Sequence, residues 1–292
     1  MSRRALLIGG SGQLGTEIRR GWTEYVIAAP SHAQLDLEDA GAVAAAIADL
    51  APDVVVNCAA FHDVDRCEDA PERALAVNAI AVERAARLCR DRGVAFVTVS
   101  TDYVFDGSSR RPYAEDDPPH PVSAYGVSKL AGELLIENLG SRALVVRSGG
   151  VYGVGHSAGR EAAFVARVLA QARAGEPVRV VSDAIASPTF AGHLAQAIRV
   201  MVGAGVSGLY HAADVGPVSW YDFAVEALAQ AGIRHAVEPI PAREWHARAR
   251  RPAFSALDSR KLRGLGFEMP SWGEGISAYL QLFRLSGAAQ NP

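Results

Sequence analysis

The segment Gly9-Gly10-Ser11-Gly12-Gln13-Leu14-Gly15 follows directly on the apolar run Ala5-Leu6-Leu7-Ile8. Gly9, Gly12 and Gly15 recur at every third position, and a stretch with helical periodicity comes after them. Glycines at this spacing allow a tight turn, a close approach of backbone N–H groups to a pyrophosphate, and close packing of a helix on a strand. Since a strand precedes the turn and a helix follows it, the segment predicts a dinucleotide-binding site. A glycine turn with only a structural role is the alternative.

The first half of the chain alternates short apolar runs with stretches rich in Ala, Leu, Glu and Arg. The runs predict strands at residues 5–8, 25–27, 54–56, 95–99 and 143–146. The stretches between them predict helices at residues 13–22, 37–50, 71–92 and 122–139. Continuously apolar strands separated by helices indicate a parallel sheet that is covered on both faces. The predicted fold class is therefore α/β, a doubly wound parallel sheet of the Rossmann type.

The alternation changes after residue 149, where glycines mark loops. Beyond them the sequence predicts helices at residues 161–174, 190–202, 220–231 and 272–283, a strand at 178–181 and a further segment at 208–211. These elements indicate a smaller α/β region that lies over the first. We therefore assign residues 1–149 to a dinucleotide-binding domain, to which some later segments return, and residues 150–292 mainly to a substrate-binding domain.

Composition and charge exclude several classes of protein. Of 292 residues, 49% are hydrophobic and 21% charged, as in an ordinary globular protein. The formal net charge of −3 gives no net attraction to nucleic acid or to an anionic membrane. Three cysteines are too few for a disulfide framework, and the N-terminal apolar run is too short for a signal segment or a membrane span. We therefore expect reduced thiols, a cytoplasmic protein, and neither a nucleic-acid nor a membrane partner.

A second motif, Tyr125-Gly126-Val127-Ser128-Lys129, opens the predicted helix at residues 122–139. Tyr and Lys at positions i and i+4 share one face of a helix, so the ammonium group of Lys129 can lie beside the phenol of Tyr125 and lower its pKa. Such a phenol can donate a proton to a carbonyl oxygen while hydride arrives at the carbon. A surface tyrosine beside a solvated lysine is the alternative.

Polar residues follow the predicted strand at residues 95–99, in the order Ser100-Thr101-Asp102-Tyr103. Ligands of open parallel sheets bind at the carboxyl ends of the strands. The Thr101 hydroxyl is therefore expected to hydrogen-bond the same carbonyl oxygen that Tyr125 protonates. In the alternative, Thr101 only satisfies the backbone of a turn.

The end of the predicted second strand bears on the choice of cofactor. It reads Ile27-Ala28-Ala29-Pro30-Ser31-His32, with no Asp or Glu to accept the ribose 2′-OH of NADH. Ser31 and His32 can instead donate to the 2′-phosphate of NADPH. NADPH is therefore the predicted cofactor, with NADH as the alternative.

Further motifs, distributed over essentially the whole chain, are Val55-Val56-Asn57-Cys58-Ala59-Ala60-Phe61, Val64-Asp65, Ser100-Thr101-Asp102-Tyr103-Val104-Phe105-Asp106-Gly107, Tyr125-Gly126-Val127-Ser128-Lys129-Leu130-Ala131-Gly132-Glu133, Ser187-Pro188-Thr189, Gly208-Leu209-Tyr210-His211 and Arg251-Pro252. Their ordered combination resembles the dTDP-4-dehydrorhamnose reductase family of extended short-chain dehydrogenases/reductases. The resemblance implies reduction of the 4-keto group of a nucleotide sugar, with conversion of dTDP-4-dehydrorhamnose to dTDP-rhamnose as the expected reaction.

Together with the motifs above, the resemblance implies roles for individual residues. The expected catalytic residues are Thr101, Tyr125 and Lys129. The expected cofactor-binding residues are Gly9, Ser11, Gly12, Gln13, Leu14, Gly15, Ser31, His32, Asp36, Leu37, Cys58, Ala59, Ala60, Asn78, Ser100, Tyr125 and Lys129. The expected substrate-binding residues are His62, Val64, Thr101, Asp102, Tyr103, Gly150 and Arg251.

Two departures from the family pattern bear on the substrate and on metal. The family commonly has a tryptophan where this chain has Gly150, so we expect a roomier sugar subsite. Some relatives carry an acidic cluster for a magnesium-bridged dimer after the Pro-Thr pair, whereas Phe190-Ala191-Gly192-His193 follows Pro188-Thr189 in this chain. The histidines also lack metal-binding spacing, so no metal is expected. The expected partners are a nucleotide-sugar substrate and a second copy of the chain in a homodimer.

Two other functions remain open on the same scaffold. One is a nucleotide-sugar epimerase or dehydratase, although a dehydratase is expected to carry Asp-Glu directly after the threonine, where this chain has Asp102-Tyr103. The other is a non-catalytic NAD(P)-binding regulatory subunit. The presence of Thr101, Tyr125 and Lys129 argues against a regulatory subunit.

Overall fold

The computed structural model describes residues 2–140, 142–155, 164–245 and 247–285. Its strands are β1 Arg3–Ile8, β2 Tyr25–Ala28, β3 Val54–Asn57, β4 Ala95–Thr101, β5 Leu144–Tyr152, β6 Val178–Val181, β7 Ile185–Ala186, β8 Pro188–Phe190, β9 Gly208–His211, β10 Val218–Ser219 and β11 Val237–Ile240. Its α-helices are α1 Gln13–Gly21, α2 Ala40–Leu50, α3 Val64–Asp69, α4 Pro71–Leu75, α5 Val82–Asp91, α6 Ala124–Asn138, α7 Phe164–Arg173, α8 Ala191–Gly203, α9 Trp220–Ala231, α10 Arg260–Arg263 and α11 Trp272–Leu285. A π-helical turn lies at Ala76–Ala81, and 3-10 turns lie at Asp102–Val104 and Ala242–Glu244.

The central sheet is parallel, with the strand order β2-β1-β3-β4-β5-β8, and β9 also pairs with β5. Because β1 lies between β2 and β3, the winding of the chain reverses there, which opens a crevice at the carboxyl ends of β1 and β3. The predicted doubly wound α/β fold is confirmed.

Alternate residues of the buried strands pack into two different layers. Leu7 and Val56 belong to an apolar core that includes side chains of α1 and α8. Their sequence neighbours Leu6 and Val55 belong to a second core on the other face, which includes side chains of α2, α5 and α6. The near-continuous apolar sequence of these strands follows from this two-sided burial.

The chain after residue 150 contributes to two places. Strands β8 and β9 extend the central sheet, and α8 packs against α1. Helices α7, α9 and α11 build a third apolar core around Tyr152, Phe223 and Tyr279. Two small sheets, β6 with β11 and β7 with β10, complete this region. Residues 161–163 of the helix predicted at 161–174 lie outside the described residues.

Two helices of the structure have limits that differ from those predicted from the sequence. The helix predicted at residues 37–50 begins at Ala40, because the Asp39 side chain accepts a hydrogen bond from Ala42 N and caps it. The helix predicted at 71–92 is divided by the π-helical turn into α4 and α5. Among the described residues, no helix has the length and apolarity needed to cross a bilayer.

Candidate active site

The glycine turn lies between β1 and α1. Gly9 has a φ of +75°, and an added Cβ at Gly15 would lie 2.5 Å from Gly10 Cα, so the helix rests directly on the turn. Gly12 N donates to Gly9 O at 3.2 Å, and Gly12 caps α1 without a side-chain hydrogen bond to the first helical turn. The N–H groups of that helical turn can therefore bind an anion.

Six other predicted cofactor residues lie in the turn, at the start of α1 or directly after β3: Ser11, Gln13, Leu14, Cys58, Ala59 and Ala60. The Leu14 side chain packs into the core between α1 and the sheet, so only its backbone can face a ligand. Ala59 N lies 2.7 Å from the position of an added Cβ at Gly9, so the residues after β3 close one side of the turn. Burial raises the pKa of the Cys58 thiol to about 12, which keeps it protonated at neutral pH.

The four predicted adenosine-side residues follow β2. Ser31 and His32 are exposed, and both the backbone N and the hydroxyl of Ser31 donate to Gln34 Oε1 at 2.9 Å. His32 Nε2 lies 3.9 Å from Asp36 Oδ2. Leu37 is buried in the second core, so its side chain supports this edge without lining an open surface.

Asn78 joins three elements from within the π-helical turn. Its Oδ1 accepts from Phe61 N at 2.8 Å, and its Nδ2 donates to Phe61 O and to Ser128 Oγ, each at 2.9 Å. Ser128 in turn donates to Tyr125 O at 2.8 Å and directly precedes Lys129. Asn78 therefore fixes the segment after β3 relative to the first turns of α6.

Tyr125 and Thr101 meet where α6 begins beside the end of β4. The Ser123 hydroxyl caps α6 by accepting from Gly126 N at 3.2 Å. Burial raises the pKa of Tyr125 above its ordinary value, and a hydrogen bond with Thr101 offsets part of the rise. The ring of Tyr103 lies edge-on to that of Tyr125, with centroids 6.1 Å apart. The expectation that the pKa of Tyr125 is lowered is therefore wrong for this arrangement, because burial is the largest effect.

Lys129 lies one helical turn after Tyr125 and is buried. Its Nζ donates to Val99 O at 2.7 Å, which orients the ammonium group toward the end of β4. Burial lowers the pKa of Lys129 to about 8, and the charge of Glu133 opposes this fall. The hydroxyl of Ser100, also buried, has no hydrogen-bond partner among the described residues.

Asp102 is fully enclosed beside Thr101. Thr101 Oγ1 donates to Asp102 Oδ1 at 3.0 Å, and Ser255 Oγ donates to Asp102 Oδ2 at 2.5 Å. Burial raises the pKa of Asp102 to about 6, although both hydrogen bonds counteract it. An added Cβ at Gly149 would lie 3.0 Å from this carboxyl group, so the end of β5 covers it as well. Asp102 is thus enclosed by protein and supports Thr101 from behind.

Arg251 connects the C-terminal region to α3. Its guanidinium donates to both carboxylate oxygens of Asp65, each at 3.2 Å. Burial would raise the pKa of Asp65, but hydrogen bonds from Arg251 and from the backbone hold it below its usual value. A hydrogen bond with Arg251 also acts on the Tyr103 hydroxyl. Val64 begins α3, and His62 is exposed just before it.

Gly150 does not border open space. It has a φ of +50°, and an added Cβ would lie 2.8 Å from Trp220 Cη2 and 3.3 Å from Pro188 Cα. The indole of Trp220, whose ring centroid lies 4.9 Å from that of Phe164, covers this position from α9. The expectation of a roomier subsite at Gly150 is therefore wrong, because a ring from another element occupies the space.

Sequence reasoning missed four residues that the fold brings to this site. Ser255 and Trp220 arrive from distant parts of the chain, and no local pattern marks them. Glu133 and Arg147 do carry a signal. Glu133 lies four residues after Lys129 on the same helix, and Arg147 is a charged residue at the end of the apolar run Leu144-Val145-Val146.

Nearly the whole chain is similar to a family of known proteins. The family model described as RmlD substrate binding domain matches residues 3–285. The chain belongs to this family. The predicted family resemblance is thereby confirmed.

Individual members of the family align over nearly their full length. Spore coat polysaccharide biosynthesis protein SpsK of Bacillus subtilis is 35% identical over 280 residues, which cover 95% of this chain and 97% of that protein. The dTDP-4-dehydrorhamnose reductase of Escherichia coli is 34% identical over 292 residues, covering 94% and 96%. A crystal structure of dTDP-4-dehydrorhamnose reductase from Bacillus anthracis in complex with NADP superposes with a TM-score of 0.91 at 31% identity, covering 96% of this chain and 99% of that one.

Proposed function

We propose that this chain uses NADPH to reduce the 4-keto group of a dTDP-linked sugar, and that the substrate is dTDP-4-dehydrorhamnose. The observation that carries the proposal is the meeting of Thr101, Tyr125 and Lys129 at the carboxyl end of β4, two strands from the glycine turn. Membership of the RmlD family, and relatives named dTDP-4-dehydrorhamnose reductase, support the same chemistry.

The residues at this sheet edge fit a reduced dinucleotide. The first turn of α1, which has no side-chain cap, offers N–H groups to a pyrophosphate. The buried Ser100 hydroxyl offers a polar atom whose hydrogen-bonding capacity is unused among the described residues. His32 is exposed and offers a ring N–H to a 2′-phosphate, whereas the two donors of Ser31 would first have to leave Gln34 Oε1. When bound, the reduced nicotinamide supplies hydride to the carbonyl carbon.

Tyr125 supplies the proton. Because burial raises its pKa, the phenol is protonated at neutral pH and can donate to the carbonyl oxygen as negative charge develops there. The Thr101 hydroxyl donates its one proton to Asp102 Oδ1 at 3.0 Å in this structure, and would turn that proton to the same ketone oxygen when the substrate binds. Thr101 and Tyr125 thus bind the oxygen most strongly when it carries charge, which is how they lower the barrier.

Lys129 stabilises the state that follows proton donation. Its ammonium lies one helical turn from the phenol, so it offsets the negative charge of the phenolate in a buried environment. Its Nζ is held by Val99 O at 2.7 Å, and it is mostly charged below its pKa of about 8. Loss of that charge at higher pH should slow the reaction.

The C-terminal region holds the substrate in this proposal. We propose that residues 150–292 mainly bind the nucleotide sugar. In this proposal Arg251 and Tyr103 lie beside the substrate, and Trp220 is a wall of the sugar subsite. Residues 1–149 would then hold the dinucleotide. Binding energy from the remote nucleotide would position the ketone between Thr101 and Tyr125.

We also propose a cytoplasmic homodimer. Leu75, Ile80 and Leu134 are 39%, 43% and 54% exposed and lie on one apolar groove formed by α4, the π-helical turn and α6. A second copy of the chain would cover this groove.

The thiols of Cys67 and Cys89 are buried and form no disulfide, in keeping with a reducing compartment. The dimer is tested by measuring the molar mass of the protein and of Leu134→Glu by light scattering. A carboxylate in the groove should prevent association, so we expect the mass of a dimer for the wild type and of a monomer for the variant.

The reaction itself is tested by mixing purified protein, NADPH and a dTDP-4-keto-6-deoxyhexose. We expect NADPH consumption equal to the sugar reduced, and a dTDP-linked 6-deoxyhexose by mass spectrometry. The control reaction omits the ketone and measures the oxidation of NADPH that occurs without substrate. NADPH consumption without a reduced sugar, or a dehydrated or epimerised product, would contradict the proposal.

A further inference from the structure

Helix α6 carries a row of three chemically active side chains on one face. Tyr125, Lys129 and Glu133 follow each other at intervals of four residues, so they lie one above the other along the helix. The proposed reaction uses the first two. Glu133 is only 9% exposed, and no step above requires it. A buried carboxylate is costly unless it is paired, so its retention in this row calls for a reason.

Arg147 of β5 binds the Glu133 carboxylate through three hydrogen bonds. Its Nε donates to Oε1 at 3.0 Å and to Oε2 at 3.1 Å, and its Nη2 donates to Oε2 at 2.6 Å. Arg147 is 2% exposed, and its Cζ lies 5.1 Å from the centroid of the Phe105 ring. These contacts fix the position of the Glu133 carboxylate.

The ion pair and Lys129 lie between α6 and the neighbouring strands β4 and β5. Lys129 Nζ binds the carbonyl of Val99, and the next residue, Ser100, is the register partner of Arg147 in β5. Two buried cations therefore flank one buried anion. Without Glu133, Lys129 would share this low-dielectric region with the uncompensated charge of Arg147, which disfavours a charged lysine.

The other titratable groups at this end of α6 lie on the opposite side of Lys129. They are Cys67 and Glu68 of α3, near Tyr125 and Ala124, and Asp102 and Tyr103 of the 3-10 turn. Charged side chains of α4 and α5 are mostly in exposed ion pairs, such as Arg87 with Glu83. Glu133 is thus the anion placed to act on Lys129 from the C-terminal side, and its charge favours the ammonium form.

We propose that Glu133, held by Arg147, is a positioning residue that keeps the Lys129 side chain charged, one helical turn from Tyr125. This inference rests on the proposed reductase function only for its effect on rate. The effect on the charge of Lys129 is a property of the protein alone and can be measured without any reaction.

Opposite charge changes on the two sides of the ion pair test this proposal. Glu133→Gln removes the anion and leaves Arg147, so Lys129 should lose its proton at lower pH. Arg147→Met removes the cation and leaves Glu133, so Lys129 should lose its proton at higher pH. Glu137→Gln removes an exposed carboxylate from the next turn of α6 and is the matched control, with no shift expected.

The first readout is the titration of Lys129 by NMR of the lysine side-chain resonances in the protein without ligands, with Lys129→Arg to assign the signal. We expect Glu133→Gln to shift the midpoint down by about one pH unit or more, which is about a tenfold change in the charged fraction above the midpoint. The second readout is the alkaline limb of kcat/KM for the ketone, which should move with the same sign in each variant.

A merely structural ion pair would lower stability in both variants without moving the midpoints in opposite directions. Midpoints that coincide with wild type, or shift together, would overturn the proposal. If either single variant does not fold, Glu133→Gln with Arg147→Met removes both charges together. Its midpoint should still lie below wild type, because Glu133 lies one helical turn from Lys129 on α6 and its charge acts on Lys129, whereas Arg147 reaches the pair from β5. An unchanged midpoint would overturn the proposal. Opposite NMR shifts without any ketone reduction would instead reject the proposed function and leave the role of Glu133 intact.

Discussion

The part of the candidate site built before residue 150 and the part built after it are assembled in different ways. Thr101, Tyr125 and Lys129 come from one strand end and the helix that follows, and a short hydrogen bond to backbone holds Lys129. Side chains from far along the chain also reach this region: Trp220 covers Gly150 at the end of β5, and Ser255 binds the carboxylate of Asp102. The first part is placed by local structure, whereas the second depends on packing of the C-terminal region.

This difference separates the expected effects of substitution. Changes in the first part should affect the rate of the chemical step and leave the fold intact. Changes in the second should affect stability and the choice of sugar, with smaller effects on the chemical step.

The largest effect is expected for Tyr125→Phe. Loss of the phenol proton should lower kcat by roughly 10²- to 10⁴-fold, the usual contribution of general acid catalysis. The Kd for NADPH, measured by fluorescence titration, should stay within a few-fold of wild type. Tyr103→Phe removes the hydroxyl of the adjacent ring and serves as the comparison, with a smaller effect that is mainly on KM. More than half of the wild-type kcat in Tyr125→Phe would show that another group supplies the proton.

A smaller effect is expected at the wall of the second part. Trp220→Ala should change the relative kcat/KM for different dTDP-4-keto sugars by roughly tenfold, as expected for ~1–3 kcal/mol of packing in a pocket. Inhibition by dTDP should stay within a few-fold, because the ring is proposed to face the sugar. An unchanged ranking of substrates would mean that Trp220 only packs the C-terminal core.

Gly150→Ala tests whether the same ring fills the space at residue 150. We expect a clear fall in Tm, since an added Cβ meets Trp220 Cη2 at 2.8 Å and the backbone has a positive φ. Gly205→Ala is the matched control, because its φ is +64° and no described atom lies within 4 Å of an added Cβ. The loss at Gly150 should exceed that at Gly205 and should shrink in a Trp220→Ala background. Equal losses at the two glycines would contradict the packing of Trp220.

The Asp65 and Arg251 pair links the two parts, so breaking it should loosen their contact. The pKa of Asp65 is lowered, so the stability that the pair contributes is present above the unfolded pKa and lost as pH falls through the folded pKa. Asp65→Asn should therefore cost about 1 kcal/mol or less at neutral pH and nothing in strong acid. Asp69→Asn, in the more exposed pair with Arg248, should cost less. A difference in the free energy of unfolding between Asp65→Asn and wild type that persists in strong acid would contradict this account.

The smallest effect is expected from removal of metal. Within the described ranges, no group of three or more His, Cys, Asp or Glu side chains could hold a metal ion. Dialysis against EDTA should leave the rate of ketone reduction unchanged. A loss that magnesium restores would show that a metal takes part.

The sequence predicted the first part of the site far better than the second. The glycine turn and the Tyr125 to Lys129 spacing are local patterns, so their elements could be inferred residue by residue. The direction in which the pKa of Tyr125 shifts could not be inferred from the sequence, because it depends on how deeply tertiary packing buries the phenol. The sequence also could not predict that a ring fills the space beside Gly150, because Trp220 reaches it from a helix 70 residues later in the chain.

The most direct test of the proposed reaction follows deuterium from the nicotinamide ring. NADPH deuterated at C4 of that ring, on the transferred face, is mixed with a dTDP-4-keto-6-deoxyhexose, and the sugar product is analysed by NMR. We predict that wild type places the deuterium on C4 of the sugar, and that Tyr125→Phe does so at a greatly reduced rate. Deuterium retained by the cofactor, or a hydrogen from solvent at C4 of the sugar, would contradict hydride transfer to the 4-keto group.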